Sequence, residues 1–550
     1  MPDRRFPFGD SIVPRIILVL LWTVWMSAAA APPDKTERHV VVVVWDGMRP
    51  DFVNEQNTPA LWKLACGGVS FHNHHSVYPS ATMVNGTAIV TGAYPGKNGI
   101  IANHVYRPDI EPRHAIDVEV APVVEKGDEL SGGNYIATPT IGELLQRIGA
   151  RSVIATAKTV GLLLDRQIRA AESGSIRQAV SSPTAAAQGD AAPIQKSVTL
   201  FAGQSLPRTA LASITKAVGP FPSAHLQSDS WTTKALLKVL WKNELPAFSV
   251  LWLGEPDLTQ HEAAPGAPTA LAAIKSADEN LALVLSALDD HKARETTDLF
   301  VVSDHGFSTI RRSIDLRKIL NEAGFTATTE FGDKPKPGDI MLAGNGGSVL
   351  FYVIGHDPAV TSRLVELLQQ SNFAGVIFTK QPAEGTFELE QAKIENKSAP
   401  DVLLAFRWYD LKNQFGIPGM IDADWQRTEG KGTHATLSRF DMHNTLVATG
   451  PDFKRGETDN LATGNLDLAP TILQILGVKA PPTLDGRILS EAMINVSSND
   501  NENSEIKTIE ATKHFPSGTW RQTLQISRVG STIYLDQGTG AFVGSRAIAQ

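Results

Sequence analysis

Three apolar runs stand out along the chain, each without the polar interruptions of a surface element. They are Val40 to Val44, Ala247 to Leu253 and Leu299 to Val302. Short runs rich in β-branched and aromatic residues, lacking strict alternation, read as strands buried on both faces, as in a parallel sheet. Each run ends in chemistry. Val40 to Val44 is followed by Trp45-Asp46-Gly47, the second by Glu255-Pro256-Asp257 and then His261, the third by Ser303-Asp304-His305-Gly306. Open α/β sheets place their ligands beyond the carboxyl ends of parallel strands. The pattern therefore predicts a metal site assembled at one sheet edge from distant segments.

Helical periodicity fills the intervals. Asn57 to Ala65 reads as a helix with Pro59 at its first position, and Thr140 to Arg147 as an amphipathic helix with Glu143 in its first turns. Trp231 to Trp241, Pro268 to Leu288 and Asn465 to Leu476 follow the same period, and Ser152 to Lys158 reads as a further strand. Tyr78 to Thr87 is a loop entering a helix, with Thr82 near its N-terminus. Locally Thr82 reads as an N-cap, although free N–H groups at a helix start also suit a phosphate. His72, His74 and His75 lack a partner at a metal-binding spacing and read as a solvated loop. Ala171 to Gln195 reads as a surface excursion. The interval from His305 to His434 is too long for a loop and predicts an inserted smaller lobe.

The chain thus divides into 1–31, a signal peptide; 32–305, the first part of a catalytic core; 306–431, the inserted lobe; 432–494, the second part of the core; and 495–550, a polar linker with a short C-terminal β-tail seen in the alternation of Thr523 to Leu535. The fold predicted is a three-layer α/β domain with a mostly parallel central sheet and helices on both faces.

Composition narrows the chemistry. A formal charge of −8 over 550 residues, of which 42% are hydrophobic, suits a large core and argues against a basic nucleic-acid surface. The single cysteine, Cys66, leaves metal ligation to histidines and carboxylates. Arg4, Arg5 and Arg15, then Ile16 to Met26, then the small residues Ser27 to Ala31, form a signal-peptide layout, and the apolar run is short for a membrane span. The alternative is an anchor that is kept. The reading is a periplasmic or secreted protein with no membrane span in its mature chain and an open oligomeric state.

Several segments together resemble one family. VVVVWDGMRPD, YPSATMVNGTAIVTGAYPGKNGIIAN, EPDLTQH, SDHGF and KGTHATLSRFDMHNTLVATGPDFKRG, with the later LDLAPTILQILG and LDGRIL, occur in the order of the nucleotide pyrophosphatase/phosphodiesterase branch of the alkaline phosphatase superfamily. The resemblance implies an alkaline-phosphatase-like fold with two Zn2+. Asp46, Asp304 and His305 would hold one, and Asp257, His261 and His434 the other. Thr82, itself facing a metal, would be the nucleophile and form a phosphothreonine, with Asn103 holding a phosphoryl oxygen. Gln260 and Ala264 stand where the family usually has glycine. Asp441 and His443 are assigned to supporting roles, Asp441 as a carboxylate able to fix a histidine ring. Lys158, in the segment ATAKT, resembles the site lysine of phosphonoacetate hydrolases, but a surface lysine is an equal reading. The expected substrate is a small phosphoester or nucleotide. Alternatives are a phosphomonoesterase or phosphonate hydrolase on the same site, or a silent binding protein that keeps the fold.

Overall fold

The structure, a computed structural model, describes residues 38–165, 196–496 and 503–544. The signal segment, the excursion between Ala171 and Gln195 and most of the linker after Asn495 lie outside the described residues.

A nine-stranded sheet organises the chain. Its strands are β1 (His39–Trp45), β2 (Val69–Phe71), β3 (Ser152–Thr156), β4 (Val198–Phe201), β5 (Gln204–Leu206), β6 (Phe248–Leu253), β7 (Thr297–Val302), β8 (Leu446–Thr449) and β9 (Glu457–Asp459). They lie in the order β9-β2-β8-β7-β1-β6-β3-β4-β5. The central strands β7, β1, β6, β3 and β4 are parallel. β8 runs antiparallel to β7 and β2, and β5 antiparallel to β4. The apolar runs thus occupy the positions that their lack of alternation predicts.

β1 shows why its apolar run is unbroken. Val40, Val42 and Val44 join one apolar cluster with Met83, Ile89 and Val90 of helix α2 (Thr82–Thr91). Val41, Val43 and Trp45 join another with Leu61 of α1 (Pro59–Gly67) and with Ile274, Leu281 and Val284 of a long helix at Pro268–Asp290. Helices on both faces complete three layers. Burying a valine on each face alternately is worth about 1.5–3 kcal/mol per side chain. Helix α2 is buried along its whole length and comes close to the sheet at Gly86, where a Cβ would lie 2.8 Å from Val160 and 3.1 Å from Trp252.

The register sets the site. Val44 lies opposite Val302 of β7 and Trp252 of β6, so the three central strands end level with one another. Asp46, Asp304 and the turn leading to Asp257 therefore emerge at one edge.

The stretch between Gly306 and Lys431 forms two further sheets. One has four strands, closed by Gly432–Thr433. The other has six, from Ala327–Thr328 to Val402–Phe406, and its Met341, Leu350 and Leu403 continue the apolar cluster that contains Met83. The alternation read over Thr523 to Leu535 falls inside a larger unit. Glu505–Phe515, Gly518–Val529 and Thr532–Gly544 form a three-stranded antiparallel meander. Its first strand is exposed along its first four residues and only half-buried on the face of Ile509, Ala511 and Phe515, so its period is weak in the sequence.

Candidate metal centre

The loop after β1 is braced from three sides. Gly47 adopts φ +72°, and a Cβ there would meet Phe307 at 2.9 Å and the Asp257 Cβ at 3.1 Å. Only glycine allows the turn and the close approach. The Gly47 N–H donates to Asp304 Oδ1 (3.0 Å), the Asp257 N–H to the Asp46 carbonyl (2.9 Å), and Gln260 Nε2 to the Gly47 carbonyl (2.9 Å). Gln260, on helix α3 (Asp257–Ala263), thus pins the turn that carries Asp46. Ala264 caps α3 at φ +85° and ψ 156°, a conformation that glycine occupies without strain.

Six candidate ligands meet beyond the strand ends. Ligand atoms of Asp46, Asp304 and His305 lie within 4.8 Å of one another, and so do those of Asp257, His305 and His434. His261 falls outside the second group by that limit, but its Nε2 lies 3.3 Å from Asp257 Oδ1. His434 Nε2 is 3.5 Å from the same oxygen, and His305 Nε2 is 3.2 Å from Asp304 Oδ2 and 3.5 Å from Asp46 Oδ1.

The imidazole tautomers follow from the backbone. His305 Nδ1 faces the Gly306 carbonyl (2.9 Å), His434 Nδ1 the Ser80 carbonyl (2.7 Å) and His261 Nδ1 the Gly432 carbonyl (3.0 Å). A carbonyl only accepts, so each Nδ1 carries the hydrogen and each Nε2 turns a lone pair toward the aspartates. Backbone carbonyls do the orienting that the sequence reading gave to Asp441. Asp441 instead accepts from Ser308 Oγ (2.5 Å), the Thr436 N–H (3.0 Å) and Thr436 Oγ1 (2.5 Å), tying together the loop after His434.

The donor set fits a cation. Asp257 Oδ1 and Asp304 Oδ2 are buried without a hydrogen-bond donor, and they lie in different clusters. Leaving a buried carboxylate oxygen unpartnered is costly unless a cation faces it. Burial pushes the Asp46 carboxyl well up, and Asp304 and Asp257 add to this, while Lys158 opposes it. Burial also pushes Asp257 up, but Lys158 and His261 outweigh it and hold that carboxyl well below the usual range. Burial and the neighbouring His305 hold His434 well below the usual imidazole value, which keeps its lone pair free.

Thr82 is the first residue of α2, not its cap; Ala81 takes the cap position. Its Oγ1 lies 3.3 Å from His305 Nε2 and 3.5 Å from Asp46 Oδ1. Asn103 approaches from the following loop, and its Oδ1 accepts from the Met83 N–H (3.0 Å), which leaves its NH2 group to donate elsewhere.

Two further residues touch the candidate ligands. Lys158 is not on the surface: its Nζ lies 2.9 Å from both Asp46 Oδ2 and Asp257 Oδ2. Trp252 Nε1 donates to Asp46 Oδ2 (2.9 Å) from within β6. The sequence signal for Lys158 was the segment ATAKT at the end of a strand; Trp252 had none. Of the three clustered histidines only His72 is exposed. His74 is buried between Thr463 and Asn465, and His75 pairs with Asp536 at 2.8 Å, so the solvated-loop reading fails for both. A recess of about 420 Å³ is lined by Ala157, Phe221, Pro222, His225, Asp229 and Leu258; none is a candidate ligand, and Ala157 and Leu258 adjoin Lys158 and Asp257 in sequence.

The chain as a whole is similar to known proteins. The family profile of type I phosphodiesterases / nucleotide pyrophosphatases matches residues 40–408. A venom phosphodiesterase of Naja atra is 23% identical over 472 residues, covering 83% of this chain and 46% of the relative. Bis(5'-adenosyl)-triphosphatase enpp4 of Xenopus laevis is 20% identical over 477 residues, 85% of this chain and 84% of the relative. The chain spans about half the length of the venom relatives it matches. Among solved structures, an inactive variant of murine ectonucleotide pyrophosphatase / phosphodiesterase 5 in complex with AMP superposes with a TM-score of 0.55 at 17% identity, covering 81% of this chain and 96% of that one. The chain belongs to the type I phosphodiesterase / nucleotide pyrophosphatase family.

Proposed function

We propose that the chain is an exported two-zinc phosphodiesterase or nucleotide pyrophosphatase that hydrolyses small phosphoesters through a phosphothreonine at Thr82. One observation carries the reading: a threonine hydroxyl at a buried helix start lies within 3.5 Å of two candidate ligands, Asp46 and His305, of one acidic cluster. Asp46, Asp304 and His305 would hold one ion and Asp257, His261 and His434 the other, an oxygen and nitrogen donor set that suits zinc. When bound, the pair would supply Lewis acidity to the attacking hydroxyl and the leaving oxygen.

The chain's own residues do the rest. Thr82 Oγ bonds to phosphorus as the bond to the leaving alcohol oxygen breaks, and that oxygen takes up the proton lost from Thr82. Water then attacks phosphorus, the bond to Thr82 breaks, and the hydroxyl is restored. The Asn103 NH2 and the Thr82 backbone N–H donate to a non-bridging oxygen as its charge grows. The three histidines keep their Nε2 lone pairs inward through the carbonyls of Gly306, Ser80 and Gly432. The complex of the murine neighbour with AMP supports a nucleotide-type substrate. The signal-peptide layout and the venom relatives support export, and no helix among the described residues is long and apolar enough to cross a membrane.

The test compares turnover of an aryl phosphodiester and the matching phosphomonoester by the zinc-loaded protein. Preference for the diester is expected. Thr82→Ala should lower turnover by about 10³-fold or more, since nucleophile removal leaves only binding and charge stabilisation. Preference for the monoester, or an active alanine variant, would overturn the reading.

A further inference from the structure

Lys158 occupies a place that the proposed reaction does not use. It follows β3, which neighbours β6 and not β1. Its side chain crosses the end of β6 at Gly254, where a Cβ would lie 3.4 Å from Lys158 Cγ. Beyond that crossing the ammonium reaches a carboxylate from each cluster, Asp46 after β1 and Asp257 after β6. Both contacts are 2.9 Å and both use Oδ2.

The other oxygen of each carboxylate points elsewhere. Asp46 Oδ1 faces Thr82 Oγ1 and His305 Nε2 at 3.5 Å. Asp257 Oδ1 faces His261 Nε2 at 3.3 Å and His434 Nε2 at 3.5 Å, and it is buried with no donor of its own. The ammonium and the metal positions therefore take opposite edges of the same two carboxylates and do not compete for one oxygen. On the Asp46 side the Trp252 N–H shares the Oδ2 edge with the lysine.

We propose that Lys158 is a positioning residue that couples the two metal positions, fixing one ligand of each with its Oδ1 turned inward. The proposal rests on the two-metal reading above. Two aspartates this close repel each other, and without the ammonium between them Asp257 Oδ2 loses its donor while Asp46 Oδ2 keeps the Trp252 N–H alone. The bridging ammonium offsets the repulsion and settles both carboxylates at once. A partner that orients a metal ligand from behind commonly governs affinity by about 10–100-fold, and a single residue behind one ligand of each cluster governs both affinities together.

The experiment reads metal binding, not turnover. Chelator-stripped protein is titrated with zinc against a competing chromophoric chelator, which gives the number of ions bound and two dissociation constants. Lys158→Met keeps the length of the stem and removes the charge. Both constants are expected to weaken, each by about tenfold or more, whereas His261→Ala should weaken chiefly one. Lys158→Arg, whose fork can span both carboxylates, should restore both constants to within a few-fold of the parent. If the methionine variant does not stay folded without metal, Lys158→Gln is titrated in its place with the same expectation. Unchanged constants, a change confined to one ion, tighter binding, or an arginine variant as weak as the uncharged one would each overturn the proposal. Turnover of the diester by the parent protein tests the phosphodiesterase reading separately, so the two can fail independently.

Discussion

At the scale of single residues, the instructive positions are Gln260 and Ala264, which the resemblance sets against glycines. Gln260 acts as a brace, donating 2.9 Å to the carbonyl of Gly47 and so stiffening the turn behind Asp46. Ala264 makes no such contact. It is fully buried at φ +85° and ψ 156°, where a Cβ costs about 1–3 kcal/mol of backbone strain. Glycine would remove the strain but add about 0.4–1 kcal/mol of unfolded-chain entropy. Ala264→Gly is therefore expected to raise stability by about 1 kcal/mol, read as a higher denaturant midpoint at unchanged slope. A loss of stability would mean that the methyl group's packing outweighs the strain.

At the scale of elements, the strands were legible because both faces of each are buried, so an unbroken apolar run is all that the sheet needs to declare itself. Asp46, Asp257, Asp304 and His305 were legible because they lie within a few residues of the ends of those runs; His434 follows none of them and was legible only through the resemblance. What could not be read were side chains whose partners arrive from far along the chain. His74 and His75 lie in a polar stretch, yet Thr463, Asn465 and Asp536 bury and satisfy them. Lys158 needs Asp46 and Asp257 for its meaning. The buried histidines carry a consequence for acid stability. Burial, reinforced by its histidine neighbour His75, lowers His443 from the ordinary value to about 3, and burial lowers His74 to about 3 as well. Both are neutral when folded and protonate on unfolding, so their contribution is complete above about pH 6.5 and is lost as the pH falls from there toward 3. The His443 ring packs 4.4 Å from that of His75, and His443→Phe keeps such a contact without the titration. In chelator, the parent should lose about 2 kcal/mol more than this variant between about pH 7 and pH 5. Parallel pH profiles would refute the assignment.

At the scale of the whole molecule, the C-terminal meander is a structural wall. Trp520 is fully buried against the six-stranded sheet, with its Nε1 on the Gly385 carbonyl at 2.9 Å. Gln522 exchanges hydrogen bonds with both backbone groups of Ile377. Tyr534 donates to Asp467 at 2.7 Å and Asp536 pairs with His75, tying the meander to segments behind the centre. Trp520→Ala should cost about 3–5 kcal/mol, as large-to-small changes in a closed core do. Urea unfolding would measure the loss, and zinc stoichiometry should stay that of the parent, because Trp520 touches no candidate ligand. A change below about 1 kcal/mol would show the meander to be peripheral.

The position of β1 in the sheet has a consequence for how the protein is made. It is the earliest strand of the sheet in chain order, yet it is flanked by β6 and β7, which begin at Phe248 and Thr297. A nascent chain leaving the ribosome therefore carries five bare valines for some two hundred residues of synthesis before either neighbour exists, and the last candidate ligand, His434, emerges later still. Such a segment is a template for pairing with other chains. Biogenesis thus favours a chaperone that holds the chain open until its middle third has appeared, and it excludes any product truncated before His434 from ever gathering the complete ligand set.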